Sequence, residues 1–181
     1  MDTEGRRLYN CGFDTAGEIL DHLLPNIDGS SKLPKDLEWM QKGKLIQFDQ
    51  TEFIEAWPLE YTGLANEGFV YFPDQCTDGQ TKCKIMVFLH GGNQSYKRSN
   101  FRVVKNSGFG DYAPNNNLII LFPQVDESVF TNPLGCWDFG GWGVSDWQDK
   151  YATNDGIQTK AIKGMVDKLL SPINSELLDE A

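Results

Sequence analysis

Two unbroken apolar runs stand out in an otherwise alternating chain: Ile85-Met86-Val87-Phe88-Leu89 and Leu118-Ile119-Ile120-Leu121-Phe122. Five apolar residues without a polar interruption have the length and composition of strands buried on both faces. A third run, Gly68-Phe69-Val70-Tyr71-Phe72-Pro73, is closed by proline, and Lys44 to Ile54 reads as a strand with a bend. Helical spacing appears in Ala16, Ile19, Leu20, Leu23 and Leu24. Thr15 and Glu18 are spaced as a capping box for that helix, and Pro25 is expected to end it. A moderate helix is expected from Tyr96 to Asn106. A stronger one opens near Asn154 and Asp155 and carries Ile157, Ala161, Ile162, Met165, Val166, Leu169 and Leu170. Strands alternating with amphipathic helices predict an α/β sandwich with a mostly parallel sheet flanked by helices.

Between Gln124 and Lys150 the periodicity disappears. Long irregular stretches inside compact domains are usually functional. This one interleaves Phe130, Trp137, Phe139, Trp142 and Trp147 with Gly135, Gly140, Gly141 and Gly143. Such a loop either lines an apolar cleft for a chain-like substrate or folds over the core, and the cleft reading is favoured for Trp137, Phe139 and Trp142.

The run ending at Leu89 is followed at once by His90-Gly91-Gly92. A buried strand that ends in His-Gly-Gly is either a tight strand-to-helix turn or half of an oxyanion hole of the α/β-hydrolase kind. The same place holds the glycosylation sequon Asn93-Gln94-Ser95, whose position inside the turn argues against occupancy. Gly108 to Ala113 matches G-x-G-x-x-A, but it follows a helix and Pro114 forbids the helix that should come next, so no dinucleotide site is expected. No metal site and no cofactor are expected.

Composition narrows the partners. The net charge of −10 makes nucleic acid and anionic lipid poor partners. The longest apolar runs are too short for a membrane span. Cys76 and Cys83 flank an Asp78-Gly79 turn signal between two strand-like runs, so a hairpin would bring them together as a disulfide. Disulfides persist mainly outside the cytosol. The first residues, Met1 to Arg7, contain no apolar signal segment.

Several motifs occur in a fixed order: Tyr9-Asn10-Cys11-x-Phe13-Asp14-x-Ala16-Gly17; Gly68 to Pro73 with Cys76 and Cys83; Leu89-His90-Gly91-Gly92-x-Gln94-Ser95; Asn117 to Gln124; and Asn132-Pro133-x-Gly135-Cys136-Trp137-Asp138-Phe139-x-Gly141-Trp142. Together they resemble the extracellular poly(3-hydroxybutyrate) depolymerases, serine esterases of the α/β-hydrolase fold, in the circularly permuted form and over its C-terminal half only. The resemblance implies a partial α/β-hydrolase fold over residues 8–171, incomplete as a domain, followed by an acidic tail at 172–181. It implies a backbone oxyanion donor at Gly92, with His90 and Gly91 shaping the turn. It also implies substrate contacts from Trp137, Phe139 and Trp142, a polyester or short-chain ester substrate, and an extracellular location. Family members carry cysteine where Gly92 stands, paired with the cysteine at Cys136, so here Cys136 and Cys11 are left without expected partners.

A serine esterase needs a nucleophile, a histidine base and an acid. No G-x-S-x-G occurs, and His22 and His90 are the two histidines of the chain. His22 is expected to face solvent on its helix, and His90 sits in the turn. The Ser-His-Asp triad is therefore expected upstream of Tyr9 in the permuted family, on sequence this chain lacks, and the chain alone is expected to be inactive. Its partner would then be the N-terminal half of the same enzyme. The alternative is a non-catalytic protein that binds hydrophobic polyester, or another partner, through the Trp-rich loop.

Overall fold

The computed structural model describes residues 8, 12–54, 62–127, 132–137 and 150–171. Among the described residues, four α-helices and four strands appear in the order α1 (Thr15–Asp28), β1 (Gly43–Asp49), β2 (Glu67–Pro73), β3 (Lys84–Val87), α2 (Tyr96–Ser99), α3 (Arg102–Asn106), β4 (Leu118–Phe122) and α4 (Ile157–Leu170). The four strands form one sheet in the order β1-β2-β4-β3.

Side-chain alternation along the strands builds a three-layer sandwich. Phe69 and Tyr71 of β2 and Leu118, Ile120 and Phe122 of β4 meet Leu20 and Leu24 of α1 and Val104 of α3 on one face. Val70 and Phe72 with Ile119 and Leu121 meet Ala161 and Met165 of α4 on the other. All five residues of β4 are buried, worth roughly 1.5–3 kcal/mol for each large apolar side chain. The fold is thus a partial α/β sandwich with helices on both faces of the sheet.

The sheet is mixed, not mostly parallel as the buried runs suggested. β1 pairs antiparallel with β2, β2 pairs antiparallel with β4, and only β3 and β4 run parallel. Helices on both faces bury an antiparallel strand as fully as a parallel one, so a solid apolar run does not report direction. The parallel pair is the one joined by the helical crossover through α2 and α3.

Five local expectations also change. The carboxylate of Asp14, not Thr15, caps α1 by accepting from the Gly17 N–H at 3.1 Å. The helix runs through Pro25 to Asp28 and closes on Gly29 at φ 75°. Proline there removes the N–H that would reach the Asp21 carbonyl, in the last turn of the helix, where the Asn26 side-chain amide donates to the neighbouring His22 carbonyl at 2.7 Å. The helix expected from Tyr96 to Asn106 is two short helices broken at Asn100, whose φ is 49°. Cys76 and Cys83 do form a disulfide with Cα atoms 5.9 Å apart. The loop they close is not a hairpin, since β4 lies between β2 and β3. Finally, β3 is an edge strand and half-buried throughout, whereas burial on both faces was expected. The expected tail at 172–181 lies outside the described residues.

Candidate functional site

β3 delivers the chain to its chemistry. The Phe88 N–H donates to the Leu121 carbonyl at 2.9 Å, which fixes the strand end against β4. Beyond exposed Leu89 the chain dives, and His90 is buried at 2% exposure. The Val125 N–H donates to His90 Nε2 at 3.2 Å. Nε2 is therefore the unprotonated nitrogen, and Nδ1 carries the proton that it directs to the Gly91 carbonyl at 2.9 Å. Burial lowers the pKa of this imidazole below the ordinary value of 6.5, while the Gly91 hydrogen bond and the Glu127 charge pull the other way. His90 is a neutral structural bracket with both ring nitrogens engaged.

A tight turn follows. The Gln94 N–H donates to the Gly91 carbonyl at 3.1 Å, and Asn93 takes the left-handed conformation at φ 62°. The Gly91 N–H is engaged by the Gln94 side-chain oxygen at 2.8 Å. Gly92 differs: it is exposed, and its N–H has no acceptor among the described residues. An exposed, unpaired amide presented by a braced turn can stabilise developing negative charge on an oxygen.

The brace comes from residues 132–137. Asn132 clamps this segment by donating from its side chain to the Cys136 carbonyl at 2.7 Å and accepting from the Cys136 N–H at 2.8 Å. The Asn93 N–H donates to the Leu134 carbonyl at 2.6 Å, and the Trp137 indole N–H donates to the His90 carbonyl at 2.8 Å. Arg98 ties the same segment to α2: its guanidinium donates to the Pro133 carbonyl at 3.1 Å and pairs with Glu127 at 2.5 Å. Glu127 in turn accepts from the Ser95 hydroxyl at 3.2 Å. A buried amide pair supports the floor, with Gln124 accepting from the Tyr96 N–H at 2.7 Å and Gln50 donating to the Gln124 carbonyl at 2.9 Å.

The structure thus brings together His90, Gly91, Gly92 and Trp137. The Trp137 indole N–H serves the turn, so what this side chain still offers a ligand is its apolar ring. Phe139 and Trp142 lie outside the described residues. His22 is exposed on α1, away from any serine pairing given by the hydrogen bonds. Cys136 carries a free, half-buried thiol. A Cβ placed on Gly92 would stand 3.0 Å from that sulfur. The bracing roles of Asn132, Arg98, Glu127 and Gln124 were not assigned from sequence. Only the Asn132-Pro133-x-Gly135 turn pattern hinted at one of them, because long-range side-chain to backbone bonds leave no local periodicity.

Among the described residues no helix is long and apolar enough to cross a membrane, and no group of three or more His, Cys, Asp or Glu side chains could hold a metal ion.

No family model matches the chain. Curated proteins do. A poly(3-hydroxybutyrate) depolymerase of Delftia acidovorans is 34% identical over 165 residues, covering 91% of this chain and 30% of that protein. A polyhydroxybutyrate depolymerase of Talaromyces funiculosus is 31% identical over 174 residues, covering 91% of this chain and 47% of that protein. Among solved structures, a PHB depolymerase complexed with an R3HB trimer matches with a TM-score of 0.71 at 29% identity. A PHB depolymerase from Penicillium funiculosum matches with a TM-score of 0.71 at 31% identity. Each covers 91% of this chain and 50% of the solved one. The chain is similar to poly(3-hydroxybutyrate) depolymerases over nine-tenths of its own length, and it spans about a third to a half of theirs.

Proposed function

We propose that this chain supplies the oxyanion-hole loop of a serine esterase that hydrolyses polyhydroxyalkanoate esters, with the Gly92 N–H as anion donor. The observation that carries the reading is the amide of Gly92: exposed, without an acceptor among the described residues, and set in a turn whose neighbouring polar groups are engaged. One such donor is typically worth ~2.7–4 kcal/mol of transition-state stabilisation. Similarity to depolymerases, one of them solved with an R3HB trimer, supports an aliphatic polyester as the substrate class. Trp137, Phe139 and Trp142 are the aromatic residues proposed to face it. The nucleophile, base and acid belong to polypeptide outside these 181 residues, since His90 is engaged at both nitrogens and His22 stands exposed on α1. The Cys76–Cys83 disulfide supports an extracellular setting.

The test is an amide-resolved titration of the chain with a 3-hydroxybutyrate trimer, run alongside a serine-directed phosphonate. The expected result is a shift of the Gly92 amide resonance larger than that of Gly91, with no phosphonate adduct. A silent Gly92 amide, or stoichiometric labelling of a serine in this chain, overturns the proposal.

A further inference from the structure

Two hydrogen bonds join the turn directly to the segment 132–137. The Asn93 N–H donates to the Leu134 carbonyl at 2.6 Å, and the Trp137 indole N–H donates to the His90 carbonyl at 2.8 Å. No covalent bond reinforces this joint, since the Cys136 thiol is free. Two neutral hydrogen bonds, each largely offset by the water it displaces, hold such a segment weakly.

Glu127 supplies a third tie. Its own stretch of chain is fixed from behind: the Val125 N–H donates to His90 Nε2 at 3.2 Å, and the Asp126 N–H donates to the Gly63 carbonyl at 2.9 Å. From that base, Glu127 Oε1 accepts from the Ser95 hydroxyl at 3.2 Å, and Oε2 accepts from Arg98 Nε at 2.5 Å. A second nitrogen of the same guanidinium, Nη2, donates to the Pro133 carbonyl at 3.1 Å. Gly135 packs on the stem of the carboxylate: a Cβ there would stand 3.1 Å from Glu127 Cγ. One carboxylate therefore meets the end of the turn, α2 and the segment that carries Cys136 and Trp137.

The surroundings explain why the pair is charged. The Glu127 side chain is 11% exposed and that of Arg98 41%. A carboxylate so far withdrawn from water needs a cation beside it. Only a planar fork holds that carboxylate and a backbone carbonyl at once, whereas an ammonium is a single point of charge.

We infer that Glu127 and Arg98 are a positioning pair for the Gly92 amide. Glu127 aims the guanidinium at Pro133, and that tie keeps the segment 132–137 seated on the turn. The inference rests on the proposed esterase reading for the use of the amide, and it adds the two residues that govern how firmly the amide is held.

The experiment is hydrogen exchange on the chain itself, without ligand. The Asn93 amide and the Trp137 indole cross the joint, while the Gln94 amide closes the turn on the Gly91 carbonyl without crossing it. Glu127→Gln leaves one acceptor oxygen for the Ser95 hydroxyl and removes the charge that holds Arg98, which is free to turn to water. It is expected to speed exchange at Asn93 and at the Trp137 indole roughly tenfold, with Gln94 and the β4 amides unchanged. Arg98→Lys keeps the charge, loses the second donor, and is expected to loosen the joint to the same extent. The double variant is expected to be no looser than either single one, because the two residues act as one tie. A 3-hydroxybutyrate trimer is expected to shift the Gly92 amide less in each variant than in the parent chain.

Should Glu127→Gln fail to fold, Arg98→Lys, altered at the more exposed partner, decides alone. Unchanged exchange across the joint, an equal rise at every amide, additive effects in the double variant, or a trimer response that survives a loosened joint undiminished each overturn the inference. A selectively loosened joint in a chain whose parent shows no Gly92 response leaves the pair standing and sinks the esterase reading. A Gly92 response with exchange unchanged in the variants does the reverse.

Discussion

Trp137 and His90 meet twice. The indole N–H donates to the His90 carbonyl at 2.8 Å, and the two rings stand 5.4 Å apart with a 45° tilt. The contact spans 47 residues of chain and joins the segment that carries Cys136 to the turn that presents Gly92. The indole is a strut first, and any apolar surface it offers a substrate comes after.

Trp137→Phe keeps an aromatic ring and deletes the donor, leaving the carbonyl of buried His90 without its partner. The expected cost is about 1–2 kcal/mol. For a domain of this size that is a fall in Tm of roughly 2–8 °C. Thermal denaturation followed by near-ultraviolet circular dichroism measures it, and an unchanged Tm would remove Trp137 from the brace.

Gly92 and Cys136 yield a second prediction. The 3.0 Å between an ideal Cβ at position 92 and the Cys136 sulfur is about the spacing that disulfide geometry sets between one Cβ and the far sulfur. Gly92→Cys is therefore expected to oxidise spontaneously with Cys136 in air. Non-reducing peptide mapping would show a linked pair joining positions 92 and 136. In the loop-entropy model the closed loop stabilises by roughly 3–4 kcal/mol. Two free thiols at these positions after oxidation would contradict the geometry. Gly92→Leu, by contrast, must displace the sulfur and is expected to destabilise the turn.

Much of this was legible along the chain, and the failures share a cause. The strand β4 and the helix α4 were readable because full burial and helical spacing are written in consecutive residues. The His90-Gly91-Gly92 turn was readable because glycine at a strand end has few other uses. The direction of the sheet was not, because burial on both faces is produced by helices and does not encode strand sense. The break at Asn100 was hidden behind Phe101, Val103 and Val104, which read as one continuous face. The half-buried state of β3 could not be seen at all, since exposure at an edge depends on which strand lies beside it. Asp14 was overlooked as a cap because Thr15 and Glu18 fit the pattern one residue later.

Asp14 also gives a pH dependence. The Tyr112 hydroxyl donates to its carboxylate at 2.6 Å, and Lys35 pairs with it at 2.9 Å. The hydrogen bond from Tyr112, then that from Lys35, lowers its pKa from 3.8 to about 2. A carboxylate whose folded pKa lies below its unfolded value contributes stability above the unfolded pKa and loses it as pH falls through the folded one. The affected window is pH 4 down to pH 2. Asp14→Asn retains a side-chain oxygen for the Gly17 N–H and cannot titrate, so its stability should fall less steeply across that window than the wild type's. Chemical denaturation at several pH values decides it, and parallel curves for the two proteins would rule out Asp14 as a contributor.

His90 titrates with the opposite chemistry and the same direction of loss. Its neutral form is the one the fold holds: Nε2 accepts from Val125, and burial disfavours the cation. The unfolded chain takes up a proton near pH 6.5 while the folded chain resists. Stability from this group is therefore complete above about pH 6.5 and erodes as pH falls toward the lowered folded pKa, by up to roughly 1.4 kcal/mol per pH unit. Nitrogen-15 spectra of the imidazole should show the Nδ1–H tautomer persisting below pH 6.5. His90→Ala leaves the buried Val125 N–H without an acceptor and empties the space under the turn. The unsatisfied donor alone is worth about 1–3 kcal/mol, so this variant should be the most destabilised single change at the site. A His90 that protonates at an ordinary pKa, or an alanine variant as stable as the wild type, would mean that the turn holding Gly92 is not built on this ring.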